Sequence, residues 1–539
     1  MAYADKILSG GNILTMDQAR PSAQAVAIRD GRIVAVGSVA DVAPCRGPGT
    51  ADVDLDGATL MPGFVEAHGH PFWSSQAWGE PVVDIRAIHV PTYAAALEKM
   101  KRRAAKARDG EVLWFLGLDP ALHQGMKEPT REDLDAISAR NAIVVQTSNF
   151  HAAFINSRAA ELFGIGDDYQ APEGGKVFRD DRGRPWKLHE MAAWSLGERF
   201  HRMLSADCKL GNLDEWQRKF VRAGYTTSSD ILLAPGTARP IAQALARLPK
   251  WLRIVGYEAM AAGGAVSVPQ GPVTDMFTMT GVKFHADGSV LLGNVWTSAP
   301  YLNNEMTLQG MGLPRDSTGH ALYDFDALYA RVRRYAGEGW QVAIHAHGDR
   351  TIDLALDVFE RVLRECGRVN GPFRLEHCGL MREDQIDRAL SLGVVASFFL
   401  PYIYHWGEAL RDCLLGREAA ERFVPSGSAT ARGMRVSYHC DAPMTWPDAL
   451  KCLYVAVTRK TMKGAVLGGD QRVSMAQALR ALTVDAAYHL RMEHEIGSIG
   501  VGKLADFVVL GADPLSWDPE DIMSLPILGT YVGGEATAP

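Results

Sequence analysis

From residue 61 to about residue 490, short apolar β-prone runs alternate with amphipathic helical stretches. No other feature constrains the chain as much. Strands that each need a helical crossover before the next one build parallel β/α layers. Eight such runs can be read, the first ending at His68 and His70. The others lie at 225–230, 252–257, 281–287, 341–347, 373–377, 393–398 and 435–441. Eight is the number that closes a barrel. Stretches 351–366, 384–392 and 475–490 carry apolar residues at helical spacing and are expected helices.

The expected fold is therefore α/β, a (β/α)8 TIM-type barrel. A chain of 539 residues is too long for one compact core. The gap between the first and second runs is too long for one crossover. Residues of about 75–215 are thus expected to form a large insertion after the first barrel strand, with strands of its own near 112–117 and 143–146. Residues 1–60 are a series of short β-prone runs separated by Gly10-Gly11, Asp30-Gly31 and Asp56-Gly57, and residues 497–510 have the same texture. Segments 1–60 and 491–539 are therefore expected to pair as a small β-sandwich built from both termini, flanking a barrel at 61–490.

Composition excludes several function classes. Lys and Arg number 56 against 63 Asp and Glu, a net charge of -7, so nothing favours nucleic acid or an anionic membrane. The basic run at 101–108 has the spacing of one solvated helix face. Seven cysteines, an odd count without a CxxC pair, support neither a disulfide framework nor a zinc ribbon. No apolar run reaches membrane-spanning length, and the start lacks a basic segment followed by a long apolar run. The expected location is the cytoplasm.

Active sites of such barrels lie at the C-terminal ends of the strands. The ligand-type residues there are His68 and His70 on strand one, Lys283 on four, His345 on five, His377 on six and Asp441 on eight. Histidine offers a neutral nitrogen and aspartate a hard oxygen. An ammonium repels cations, but a lysine carboxylated by CO2 becomes an anionic bridge between two ions. A free Lys283 ammonium buried among imidazoles would carry a large desolvation cost. Each residue also has a plainer reading: His345 and His377 as satisfied core histidines, Lys283 in an ion pair with Asp287, Asp441 as an N-cap. Six suitable residues at matching ends of five strands favour a metal centre.

These residues stand in Pro62-Gly-Phe-Val-Glu-Ala-His-Gly-His70, Lys283-Phe-His-Ala-Asp-Gly-Ser289, His345-Ala-His-Gly-Asp349, Leu375-Glu-His377 and Asp441-Ala-Pro443. With these motifs the chain resembles the amidohydrolase superfamily over nearly its whole length, and within it the branch that includes N-substituted formamide deformylases. The resemblance implies His68 and His70 on one metal and His345 and His377 on a second. It implies Lys283 as carboxylated bridge and Asp441 as both ligand and proton shuttle. Two departures stand out: His347 in the fifth motif, and His439-Cys440 before Asp441.

The implied activity is metal-dependent hydrolysis of a C–N bond, in an amide, formamide or related group. Water between two divalent ions becomes hydroxide near neutral pH and attacks the carbonyl, and Asp441 carries its proton to the leaving amine. The ligand set suits a divalent metal, zinc first, with manganese, iron and cobalt also compatible and one or two ions accommodated. Aromatic residues near the strand ends suit a small-molecule substrate with an apolar or aromatic part. Expected substrate contacts are Asp287, His347, Trp78, Phe72, Tyr301 and His405. Trp114, His123 and His151 of the insertion are further candidates. Asp349 is expected to orient a neighbour. A homodimer is the default assembly. Two alternatives stay open: a metal-assisted isomerase or decarboxylase on the same barrel, and a catalytically inactive regulatory relative.

Overall fold

A computed structural model describes residues 3–537 except 120–121, 149, 151, 173–174, 261–262 and 368. The chain divides into two compact units, Met1–Trp73 with Gln217–Pro539, and Ser74–Trp216.

The first unit contains eight parallel strands, numbered here β1 (Phe64–Glu66), β2 (Tyr225–Leu233), β3 (Arg253–Ala259), β4 (Phe277–His285), β5 (Gln341–Ala346), β6 (Arg374–His377), β7 (Val395–Phe399) and β8 (Val436–His439). They are hydrogen-bonded in that order. The result is a nearly closed parallel barrel sheet of the TIM type. Side chains of both faces are buried: Val282, Phe284, Val342, Ile344 and Leu375 on one face, Lys283, Ala343 and Glu376 on the other. The register aligns the strand ends, pairing His285 with His345, Ala346 with His377 and Phe399 with His439. The seam between β8 and β1 is crossed by other bonds. The Cys440 amide donates to Glu66 Oε1 at 2.9 Å, and the His70 amide donates to the Ala442 carbonyl at 3.0 Å.

The stretch 61–70 does not form one strand. Met61 and Pro62 end the strand Thr59–Pro62, which pairs antiparallel with Phe507–Leu510 outside the barrel. The barrel strand β1 is only three residues long. Gly63 makes the switch: a Cβ there would lie 2.1 Å from Thr226 Oγ1, so no other residue fits.

Thr59–Pro62 lies in an eight-stranded sheet shared by the two chain ends. Its order is Glu535–Thr537, Ile527–Val532, Phe507–Leu510, Thr59–Pro62, Lys6–Asp17, Arg20–Arg29 and Arg32–Gly37, with Ala51–Asp54 also beside Lys6–Asp17. Asp30-Gly31 forms the hairpin turn between Arg29 and Arg32, as the Asp-Gly pair predicts.

Helices fill the crossovers. Asp349–Cys366 buries Ile352, Leu356, Phe359 and Val362 on one face. The helix expected over 475–490 is instead two, Met475–Ala481 and Val484–His489. Thr483 breaks it: its backbone leaves the helical region, and its hydroxyl donates to the Leu479 carbonyl at 2.7 Å. The second piece brings His489 under β8.

The second unit is a six-stranded sheet, in the order Gly175–Arg179, Pro185–Glu190, Ala152–Ile155, Ala142–Thr147, Val112–Leu118 and Val83–Asp84. Its helix Tyr93–Ala105 exposes Lys101 and Arg102, and Lys106 and Arg108 just beyond are also exposed, so the basic run is a solvated face. Among the described residues, no helix is long and apolar enough to cross a membrane.

Candidate metal centre

The loop after β1 carries His68 and His70 on either side of Gly69. Gly69 is pinned to β2: its amide donates to Ser229 Oγ at 3.2 Å and its carbonyl accepts from Ile231 at 3.1 Å. Space at Gly69 is taken by Ser228 and Glu66, so the glycine serves protein packing. The two imidazoles stand perpendicular with centroids 5.2 Å apart.

Each imidazole is oriented. His68 Nδ1 lies 2.7 Å from Glu376 Oε2, and Glu376 is held by Arg374 on the same face of β6. Arg374 in turn donates to the Tyr257 hydroxyl at 2.9 Å and the Ala67 carbonyl at 2.8 Å. A carboxylate on Nδ1 fixes the tautomer and leaves Nε2 free to ligate. His68 Nε2 lies 3.5 Å from Asp441 Oδ1, and His70 Nε2 lies 3.0 Å from that same oxygen. His345 Nε2 donates to the Gly288 carbonyl at 2.7 Å, which leaves its Nδ1 as the acceptor.

Three overlapping groups result: His68, His70 and Asp441; His345, His347 and His377; and His68, His377 and His439. Within each, one donor atom per residue lies within 4.8 Å of the others. His377 belongs to two groups and links them. Lys283 on β4 is fully buried, and its charge acts on His68, His345, His347, His377 and His439.

Electrostatics favour the ligating forms. Burial, reinforced by Lys283, holds His345 down to about 3 and pushes His68, His347, His377 and His439 well below the usual histidine range. All are neutral near pH 7, the form that binds metals. Burial also lowers Lys283 to about 8, against the opposing pull of Glu376 and Asp441. His70 Nδ1 and His347 Nδ1 are buried and without a hydrogen-bond partner among the described residues. Neutral imidazoles, a carboxylate and two unpartnered ring nitrogens are a donor set that fits a divalent ion.

Two of the candidate ligands have unusual backbone geometry, which other residues such as Met16, Asp56 and Arg491 share. His377 and Asp441, neither a glycine, adopt φ values of 72° and 51°. Such conformations cost on the order of 1–3 kcal/mol and concentrate at functional sites. Asp441 is not an N-cap; the helix Ala449–Thr458 is capped by Asp448, which accepts the Lys451 amide at 2.9 Å. Nor does Asp287 serve chiefly to neutralise Lys283. It accepts the His347 amide at 3.1 Å and the Gly348 amide at 2.8 Å, thereby fixing the loop after β5, and burial pushes it up to about 7.

The remaining expected contacts are placed as follows. His347 joins the ligand-type cluster and meets the Tyr402 ring at 5.4 Å. Phe72 is half-buried, its amide donating to Asp230 at 2.7 Å. Tyr301 is buried, its amide bonded to the Ser317 carbonyl. His405 is buried on Pro401–Ala409, its ring against Tyr404 and Trp406. Trp78 belongs to the second unit, where it packs on Phe150 with Arg86 over its face. There too, Trp114 stacks on Phe200 and His123 bonds to the Ile85 carbonyl. His151 lies outside the described residues. Asp349 accepts from the Ser298 amide and hydroxyl, an orienting role. Phe399, Tyr402, Trp406 and Phe423 form a connected aromatic wall beside His347, His377 and His439.

Sequence reading passed over Glu376, Arg374 and His439 as members of the site. Their signal was available: Arg374 and Glu376 alternate on one face of a strand inside the barrel, where charge must be paired. Two cavities, of about 410 Å³ and 970 Å³, are lined by other residues.

The sequence profile described as "Amidohydrolase family" matches residues 52–538. The chain belongs to the amidohydrolase family. Among its relatives is an N-substituted formamide deformylase of Arthrobacter pascens, 27% identical over 98% of this chain and 97% of its own length. Another is the protein LONG AFTER FAR-RED 3 of Arabidopsis thaliana, also 27% identical, over 99% of this chain and 92% of its own. This amidohydrolase also shares its fold with an uncharacterized metal-dependent hydrolase from Pyrococcus horikoshii OT3. That match has a TM-score of 0.76 at 22% identity and covers 95% of this chain and 99% of the other. Family membership supports a hydrolase, and the structural likeness supports the barrel fold.

Proposed function

We propose that this amidohydrolase hydrolyses a C–N bond outside peptides, in an amide or N-substituted formamide whose nitrogen carries an apolar or aromatic group. One observation carries the reading. Neutral buried imidazoles from the ends of β1, β5, β6 and β8 converge with Asp441 around Lys283.

His68, His70, His345, His377 and Asp441 would hold divalent ions, with Lys283 joining them as its CO2 adduct. The lowered basicity of Lys283 supports that adduct, because only the uncharged amine adds CO2. Ions held there acidify water and polarise a carbonyl oxygen. Asp441 Oδ1, close to both His68 and His70, is placed to take the proton of the attacking water and return it to the departing nitrogen. For a formamide the products are formate and an amine. The aromatic wall of Phe399, Tyr402 and Trp406 supplies a surface for the apolar group.

Metal analysis of the purified protein, with an amide, carbamate and formamide panel before and after chelation, tests this reading. Turnover should vanish on chelation and return with zinc, manganese or cobalt. Asp441→Asn should lose turnover by orders of magnitude while keeping most bound metal. Chelation-resistant turnover, or near-normal activity of Asp441→Asn, would refute the assignment.

A further inference from the structure

Two thiols stand beside the candidate metal centre, and none of the steps above uses them. Cys440 follows β8 and precedes Asp441, while Cys452 lies on the helix Ala449–Thr458. Both are free and fully buried. Their sulfurs are 3.5 Å apart, in contact but unbonded. A disulfide spans about 2.05 Å, so closing the 3.5 Å contact takes a shift of about 1.5 Å.

The surroundings of Cys440 show which parts can shift. Its amide donates to Glu66 Oε1 at 2.9 Å and its carbonyl accepts from the Thr445 hydroxyl at 2.6 Å, so the backbone is held from both sides. Its sulfur makes only the weak bonds of a thiol. The Asp448 amide donates to it at 3.3 Å, it reaches the Asp448 carbonyl oxygen at 3.5 Å, and Tyr225 Oη lies at 3.4 Å. Cys452 Sγ reaches the His439 carbonyl oxygen at 3.7 Å. Rotation of the two side chains, with a small shift of the first helical turn, closes the gap and leaves the Cys440 backbone in place.

The chain is already folded back for such a bond. Asp448 caps the helix that carries Cys452 and meets Cys440 Sγ through both its amide and its carbonyl. The turn between is closed by the Met444 amide, which donates to the Asp441 carbonyl at 2.8 Å. A bond between the sulfurs therefore adds little order to the folded protein. In the unfolded chain it would close residues 440–452, Asp441 among them, into a ring, and restricting the unfolded chain is how a disulfide stabilises.

We infer that Cys440 and Cys452 are a redox-sensitive pair, which hydrogen peroxide joins in a disulfide that staples the Asp441 loop to the following helix. One thiol sulfur attacks peroxide: an S–O bond forms, the O–O bond breaks, and water leaves with the thiol hydrogen. The second sulfur attacks the resulting sulfenic acid: the S–S bond forms, the S–O bond breaks, and a second water leaves with the second thiol hydrogen. The two thiols lose two electrons and peroxide gains them. A small oxidant is required because both sulfurs are fully buried. The inference goes beyond the proposed hydrolysis and does not rest on it.

The test treats metal-free, full-length protein with hydrogen peroxide, alkylates the remaining thiols and digests with trypsin without reductant. Cleavage after Arg435, Lys451 and Arg459 puts Cys440 in fragment 436–451 and Cys452 in fragment 452–459. The disulfide thus joins two otherwise separate peptides. The expected results are that joined pair in most chains and a melting temperature about 2–5 °C above that of untreated protein. Cys452→Ala and Cys452→Ser should lack both. The exposed Cys366 reports the oxidant dose. Oxidised Cys366 with the two fragments still separate overturns the inference. Joined fragments with an unchanged or lowered melting temperature overturn the staple, and so does an equal rise in the Cys452 variants. In metal-loaded protein, release to a chelator should slow severalfold on oxidation of wild type and not of Cys452→Ala. A protein that takes up no metal defeats the proposed function, while the peptide map and the melting temperature still decide the pair.

Discussion

Two buried cations of the same unit differ in sign. At Arg253, burial works against the charge, yet Asp506 outweighs it and the guanidinium is held above its ordinary range. Asp506 meets Arg253 Nη2 at 3.1 Å and also accepts the Gly533 amide at 2.7 Å, so every partner is local and joins barrel to terminal sheet. At Lys283, burial wins and the amine falls to about 8. The carboxylates that could neutralise it are already directed elsewhere, Glu376 to Arg374 and His68, Asp441 to His68 and His70. A satisfied buried charge is part of the scaffold. One left under-neutralised among neutral imidazoles marks a place built for something else.

The contrast can be broken most sharply at Lys283. Lys283→Met should reduce turnover by several orders of magnitude, while thermal unfolding of the metal-free protein is undiminished, because a desolvated charge has been removed. A large stability loss would make Lys283 an ordinary structural residue. Asp506→Ala should do the opposite, costing about 3–5 kcal/mol in denaturant titration by stranding Arg253, with metal bound per folded chain unchanged. Glu376→Gln sharpens the comparison from within the centre: it weakens the hold on His68 and should lower metal affinity about tenfold to a hundredfold in chelator competition.

A further comparison is in pH dependence, where the effect within any one pH unit is small. His489 has a folded value of about 3 against 6.5 when unfolded. Between those values the unfolded chain binds a proton that the folded one refuses. Its contribution is therefore fully present above pH 6.5 and is lost as pH falls toward 3, by at most about 1.4 kcal/mol per pH unit. Urea titrations of metal-free protein should show a slope to which the other buried histidines also contribute, and His489→Gln should reduce it by the share of one group.

Much of the barrel was legible because parallel strands buried on both faces leave continuous apolar runs, and all eight runs correspond to barrel strands. His68, His70, Lys283, His345, His377 and Asp441 could be picked out because each lies near or just beyond the C-terminal end of such a run. The stretch 61–70 was misread as one strand, since nothing local distinguishes the three residues that turn into the barrel from the two that pair with Phe507–Leu510. The break at Thr483 was invisible to periodicity, because apolar spacing continues on both sides of it. His347 and Asp287 were both expected as substrate contacts, with an ion pair between Asp287 and Lys283 as the plainer reading. Only the loop after β5 shows that Asp287 holds backbone amides and that His347 carries an unpartnered nitrogen.

By itself the amino-acid sequence determined which residues could carry the chemistry and at which strand ends they fall, because strand periodicity and ligand type are local properties. Tertiary structure alone decided which nitrogen each imidazole presents. That choice depends on partners far along the chain: Glu376 for His68 and the Gly288 carbonyl for His345. A tautomer is set by whatever stands at the far side of the ring, and only folding brings that group there.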